Sequence, residues 1–300
     1  SGTRGISDVY YEVWNEPDLF GNWKYYGDKS YLDLYTYAAK GAERAKGVRN
    51  YKLGGPAITA LYKNWFDAMA KHTIANNLRY DFFSWHRYSN NLNQYPKDMS
   101  DAKTWLAAFP QLEPTLELHI TEWGHDSNNH PGYDTNFAGA HTVAGSITML
   151  NIIERAFIFE IQDGKSPENK EQWGRWGMFT HNEFGAKPKP RYRALQMLDK
   201  VSDQRLQITG QGSWVKALAA KNRTNASTEV VIANYDPDGR NSEQVPITFT
   251  NIEPGVYTIK TEHLSGQRQQ EQTATDSAAL KVMVPMPAND VVFVELIKQL

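Results

Sequence analysis

The sequence predicts an α/β fold of parallel βα units followed by an antiparallel β-sandwich. Strand-like and helix-like patterns alternate from residue 9 to about 200, the signal of parallel βα units. After about residue 204 only short alternating strands remain, parted by turn signals such as Asp236-Pro237-Asp238-Gly239 and Glu253-Pro254-Gly255. Two strand candidates, VYYEVWNE and LELHITEW, also run to a close at Glu16 and Glu122.

The strands of the first part are expected at 9–16, 51–58, 82–89, 116–123 and 155–162. Helices are expected near 30–46, 63–77, 98–109, 136–152 and 190–200. Ser30 is the N-cap of the first helix, ahead of an apolar stripe of Leu32, Leu34, Tyr35 and Ala38. Units of this kind fit either an open sheet or most of an eight-stranded barrel. The later strands QITGQGSWVKALAAK, EVVIANYD, QVPITFTNI, GVYTIKTEHL, ALKVMVPMP and DVVFVELI read as a sandwich. The boundary is short, which divides the chain into 1–204 and 205–300.

Composition narrows the function classes. The 300 residues are 40% hydrophobic and 22% charged, with a formal net charge of −2. No basic tract interleaved with aromatics points to nucleic acid, and no apolar run is long enough to span a membrane. With no cysteine, disulfides and cysteine-ligated zinc or iron–sulfur sites are excluded. That usage favours a secreted or cell-envelope protein and is compatible with the cytoplasm. No cofactor or metal is expected: Gly54-Gly55-Pro56 closes a strand rather than opening a phosphate-binding helix. The irregular spacing of His125, Asp126 and His130 reads as a solvated substrate loop. The compositional excess is aromatic, 9 Trp and 16 Tyr. Many lie in polar stretches, GNWKYYGD and EQWGRWG, where a flat ring is a natural platform for the C–H face of a sugar.

In a parallel barrel, functional side chains gather where strands run into the following helices. The polar endings here are Asn15-Glu16, Ser84-His86-Tyr88, Glu122 and Glu160-Gln162-Asp163. Period-two alternation sets Ser84, His86 and Tyr88 on one side of their strand, and Leu118, Ile120 and Glu122 on one side of theirs. Strict alternation would send Asn15 and Glu16 to opposite faces. Their strand must therefore bulge or twist as it ends, with Pro17 stopping the ladder. Two carboxyls on separate strand ends are what glycoside hydrolysis requires, one to protonate the leaving oxygen and one to meet the anomeric carbon.

EVWNEPD (12–18) followed by Trp23, SWHRYS (84–89), HITEWG (119–124) and FEIQDG (159–164) carry a resemblance. The chain resembles clan A glycoside hydrolases, and within them glycoside hydrolase family 39. The resemblance implies a (β/α)8 barrel of TIM type with the acid/base on strand four and the nucleophile on strand seven. Glu16 then matches the acid/base, Asn15 the amide that binds the sugar 2-hydroxyl, and Glu122 the nucleophile. His86 or Tyr88 would hold Glu122 ionised and aimed. Further sugar contacts are expected from Trp23, Trp123, Glu160 and Asp163. Where many clan members end strand eight with a Trp, this chain has Gln162-Asp163-Gly164, and Trp173 or Trp176 takes over the platform.

The acid/base strand comes first here, so the barrel is expected to be incomplete, with strands four to eight present. The implied activity is retaining hydrolysis of β-glycosidic bonds in an oligo- or polysaccharide, of xylosidase or xylanase kind. The expected partners are a carbohydrate substrate and, for the open edges, a second copy or a complementing N-terminal segment. The alternatives are a non-catalytic carbohydrate-binding remnant, a subunit of a split barrel, and a structural subunit whose sandwich docks a partner.

Overall fold

A computed structural model describes residues 6–299. The chain divides into two compact units. Ser1–Ser89, Asn93–Trp123 and Met149–Ile158 form one, and Asn90–Leu92, Gly124–Thr148 and Phe159–Leu300 form the other.

The first unit is built on a parallel sheet of β1 (Val9–Glu12), β2 (Tyr51–Ile58), β3 (Phe82–Tyr88), β4 (Glu117–Gly124) and β5 (Arg155–Ile158), in chain order. Helices α1 (Tyr31–Glu43), α2 (Lys63–Ala75) and α3 (Gln94–Leu106) link the first four strands. The sheet is that of a partial TIM-type barrel. β2 and β3 are buried along most of their length, as the inner strands of a parallel sheet must be. They pack so closely that a Cβ on Gly54 would lie 2.2 Å from the Phe82 carbonyl oxygen. The edge strands β1 and β5 are largely exposed.

Two helices differ from expectation. The Ser30 hydroxyl accepts from Asp33 N as an N-cap, but the buried face of α1 is Tyr31, Tyr35 and Ala39. Leu32, Leu34 and Ala38 are only half-buried, because the tyrosine hydroxyls have carbonyl partners beneath the sheet's end. Tyr31 donates to the Val13 oxygen at 2.6 Å and Tyr35 to the Arg79 oxygen at 2.8 Å. α3 begins at Gln94 rather than near residue 98. Pro96 lies in its first turn, where no intrahelical N–H bond is lost.

The second unit holds α4 (Asn136–Met149), α5 (Pro190–Asp199) and the antiparallel strands. These are β6 (Gln204–Leu206), β7 (Val215–Lys221), β8 (Thr228–Asn234), β9 (Glu243–Thr250), β10 (Gly255–His263), β11 (Arg268–Thr275), β12 (Ala279–Met286) and β13 (Asp290–Lys298). Six form a sheet in the order β11-β10-β13-β8-β7-β6, and β12 pairs with β9. One face of the large sheet packs Ile232, Val292 and Val294 against Phe249, Val282 and Val284 of the small one. The opposite face packs Val231, Ala233 and Val291 on Ala140 and Val143 of α4 and Ala194 and Met197 of α5. With both faces covered, β8 and β13 read as continuous apolar runs, whereas β12 alternates buried and exposed residues. β11, RQQEQTAT, has no apolar alternation because it is an edge strand exposed on both faces.

A buried ionic knot ties this unit's long loop to the start of α5. Lys189 Nζ lies 2.7 Å from Asp134 Oδ1 and 2.8 Å from Asp163 Oδ1, and it donates to the Arg175 carbonyl at 2.7 Å. Arg191, also buried, donates to the Phe159 and Trp176 carbonyls and to Thr142 Oγ1. Lys189→Met strands the buried Asp163 carboxylate, while Asp134 keeps Arg175, so it should destabilise the protein by about 3–5 kcal/mol. Urea unfolding checks this, and a loss under about 1 kcal/mol would mean the knot is dispensable.

Candidate active site

The site grows from the C-terminal ends of β1, β3 and β4. β1 leaves regular geometry after Glu12 rather than running to Glu16. Val13 N still donates to the Gly54 oxygen, and Glu16 N to the Ala57 oxygen. Between these bonds Trp14 and Glu16 take left-handed φ values of 73° and 44°, a region that costs a non-glycine residue energy and clusters at functional sites. Two left-handed residues within three reset the alternation.

There the Glu16 carboxylate meets His86 of β3. With the proton on Nδ1, His86 donates to Glu16 Oε1 at 2.7 Å. The same nitrogen lies 3.2 Å from Glu122 Oε2. Tyr88, two residues along β3, donates its hydroxyl to Glu122 Oε2 at 2.8 Å. The His86 side chain is 1% exposed, whereas Glu16 and Glu122 keep 12% and 19%. The carboxyls are therefore reachable and their clamp is not.

Burial pushes the Glu122 carboxyl above its ordinary range, and the nearby carboxyls of Glu16 and Glu12 add to this. The charge of His86 and the Tyr88 hydroxyl pull the other way without cancelling it. Glu12 of β1 was not singled out from sequence. Its carboxyl is raised by the protein packed around it, against the Ser84 and Thr121 hydroxyls and His86, although the residue as a whole is exposed. The sequence signal is its place: Glu12 closes β1, the strand that leads to Glu16, and Ser84 beside it lies two positions before His86 on β3. The donor atoms of Glu16, His86 and Glu122 lie within 4.8 Å of one another, close enough to hold one cation, though their mutual hydrogen bonds already join them. His125 is not the solvated residue its loop suggested. It is buried, its ring centroid 3.8 Å from that of Tyr133, and burial, with His141, Arg191 and His130, pushes its pKa down to about 2.

The other sequence-derived residues fall in different places. Asn15 is exposed beside Glu16. Trp23 is half-buried, edge-on to Trp14 at 5.6 Å and beneath Lys29 Nζ at 5.0 Å. Trp123 does not offer its face to a ligand: it is buried, with Tyr95 edge-on at 5.7 Å, because alternation turns it away from Glu122. Asp163 likewise is buried and taken up by Lys189 and Gly177 N. Glu160, Trp173 and Trp176 belong to the second unit. Glu160 N donates to the Trp176 oxygen, and Trp173 is exposed. Among the described residues no helix is long and apolar enough to cross a membrane.

The family profile described as "Glycosyl hydrolases family 39" matches residues 1–268. A beta-xylosidase of Caldicellulosiruptor saccharolyticus is 24% identical over 271 residues, covering 84% of this chain and 54% of that protein. A beta-xylosidase of Geobacillus stearothermophilus is 26% identical over 240 residues, covering 69% and 45%. The chain thus spans about half the length of these relatives. Among solved structures, a GH39 enzyme from Xanthomonas axonopodis pv. citri superposes with a TM-score of 0.76 at 17% identity, over 97% of this chain and 68% of that one. A monomeric beta-xylosidase from Caulobacter crescentus CB15 gives 0.73 at 18%, over 96% and 69%. Likeness at these identities speaks for the fold.

The raised Glu122 carboxyl has a consequence for stability. The unfolded chain ionises Glu122 at the ordinary carboxylate value, the folded chain higher. As pH rises through that window the unfolded state sheds its proton first, so ionising Glu122 destabilises the fold, fully so above the window. Glu122→Gln should therefore unfold at a higher temperature than wild type at neutral pH, and at the same temperature below about pH 4. Calorimetry across pH checks this; a difference independent of pH would contradict it.

Proposed function

The chain belongs to glycosyl hydrolase family 39, and from that membership we propose that it is a retaining β-glycosidase. In this reading Glu122 is the nucleophile and Glu16 the acid/base. The observation that carries it is that one oxygen of each carboxyl lies within 4.8 Å of the other, both facing one imidazole nitrogen. Retaining enzymes hold their carboxyls about 5–5.5 Å apart, whereas inverting ones leave room for water at about 6.5–9.5 Å. The strands of the parallel sheet would correspond to four through eight of a (β/α)8 barrel.

The residues divide the work as follows. A Glu122 oxygen attacks the anomeric carbon, and its C–O bond forms as the glycosidic C–O bond breaks. Glu16 gives its proton to the departing oxygen, so the leaving group departs as a neutral alcohol. Tyr88 holds Glu122 Oε2, leaving the second carboxylate oxygen to attack. In the second step Glu16, now ionised, takes a proton from water as that water attacks the same carbon and releases Glu122. His86 touches both carboxyls and can follow the charge from one to the other as it moves. Asn15, exposed beside Glu16, is positioned for a sugar hydroxyl. The beta-xylosidase names of the curated relatives favour a xylose-type sugar at the cleaved bond, although a fold by itself does not choose a substrate.

Glu122→Gly should lower turnover by about 10⁴-fold or more while the fold persists. Azide should restore part of the activity and yield a glycosyl azide of inverted configuration, detected by NMR. A product of retained configuration would move the nucleophile elsewhere.

Glu16→Gln should cost about 10²–10⁴-fold on unactivated glycosides, yet spare the first step on dinitrophenyl glycosides, whose leaving group needs no proton. Steady-state and burst kinetics on both substrates check this. Equal losses on the two would remove Glu16 from the acid role.

A further inference from the structure

Strand β3 holds more of Glu16 than its carboxylate. His86 meets that carboxylate, and two positions earlier on the same strand stands Ser84, fully buried and without a part in the chemistry above. Ser84 lies across from an irregularity in β2. Pro56 pairs with Ser84 and Ile58 with Trp85, so Ala57 is an extra residue with no partner opposite it, a bulge. Ala57 is itself fully buried and takes φ +53°, which a residue with a Cβ keeps only where its surroundings hold it. A bulged peptide loses its ladder bonds, and a buried one must find others. Ala57 finds two. Its N–H donates to Ser84 Oγ at 3.0 Å, and its carbonyl accepts from Glu16 N at 2.9 Å. The Ser84 hydroxyl still has its own proton to place, and the Glu12 carboxyl receives it. Asp18 makes a second tie to the same end of β2, accepting from Thr59 N at 3.1 Å and from the Thr59 hydroxyl.

We propose that Ser84 is a positioning residue for the acid/base: through the Ala57 peptide it fixes the backbone from which Glu16 reaches the glycosidic oxygen. The inference rests on the assignment of Glu16 as the acid/base. β3 then sets both ends of that residue, Ser84 its amide and His86 its carboxyl, and the pleat of a single strand spaces the two supports. Such support matters because Glu16 also sits at a left-handed φ, 44°, and a bulge free to relax would let its carboxyl drift. A proton donor must meet its oxygen at hydrogen-bond range, and a misplacement of about 1 Å can cost about 10²-fold in rate. Glu122 is carried by β4 and held by Tyr88, outside this chain of bonds. Loss of the Ser84 hydroxyl should therefore weaken protonation of the leaving group and spare the attack.

The test compares wild type with Ser84→Ala and with Ser84→Cys, whose thiol is a weaker acceptor. The readout is kcat/KM on two substrates, phenyl β-xyloside, whose leaving group needs a proton, and dinitrophenyl β-xyloside, whose leaving group does not. Ser84→Ala should lower the phenyl value about 10- to 100-fold and the dinitrophenyl value by less than about threefold. Ser84→Cys should fall between wild type and Ser84→Ala, and it carries the same comparison if Ser84→Ala fails to fold. A merely structural role would lower both values together. Equal losses on the two substrates, or a phenyl loss under about twofold, would overturn the proposal. If wild type turns over neither xyloside, the hydrolase reading fails separately, and amide hydrogen exchange decides. The Glu16 and Ala57 amides should then exchange about tenfold faster in the variant than in wild type, with the Phe83 amide of β3 unchanged. Unchanged exchange at Glu16, or equal acceleration at Phe83, would overturn the positioning role.

Discussion

Two carboxyls with an oxygen of each within 4.8 Å of the other need donors between them, and that constraint organises the first unit. Like charges at such range repel, and partial burial deprives them of water that would otherwise screen the repulsion. The answer here is one imidazole nitrogen facing both, at 2.7 and 3.2 Å, and a phenol on Glu122. Both donors come from alternate positions of β3, the middle strand, so the sheet's own pleat spaces them. The compensation is incomplete, since the Glu122 carboxyl remains raised.

Holding Glu16 against that clamp requires irregular backbone, and irregular backbone leaves carbonyls without sheet partners. One buried tyrosine meets this need beside the site, and two others do the same elsewhere in the sheet. Tyr31 donates to the Val13 oxygen, Tyr35 to the Arg79 oxygen and Tyr80 to the Gly55 oxygen. Each is a large apolar body with one polar end, so it fills core and satisfies a buried carbonyl at once. Part of the aromatic excess is explained this way, by support beneath the site instead of by contact with sugar. Gly54 serves the same end by admitting Phe82 where no Cβ fits.

In the second unit burial settled assignments that residue type left open. Asp163 has the look of a ligand at a strand end, but Lys189 and the Gly177 amide occupy it. His125, flanked by polar residues, lies tilted against the Tyr133 ring and is held neutral by burial. For Asp163 the deciding neighbour is remote in sequence: Lys189 is 26 positions away.

From the sequence alone came the βα alternation, the all-β texture after residue 204 and the prominence of Glu16 and Glu122. These rest on local rules, the two-residue period of strands, the caps and stripes of helices, and the punctuation by Gly and Pro. The Asn-Glu-Pro ending likewise demanded a departure from regular strand, because alternation and Pro17 cannot both be honoured there. Folding in three dimensions determined the rest. It showed where β1 departs, which nitrogen faces both carboxyls, that α1 buries tyrosines rather than its leucines, and that Trp123 points inward. The largely polar β11 was invisible beforehand, since an edge strand exposed on both faces has no hydrophobic period to read. Such features depend on partners many residues away, whose distance, burial and charge no local pattern encodes.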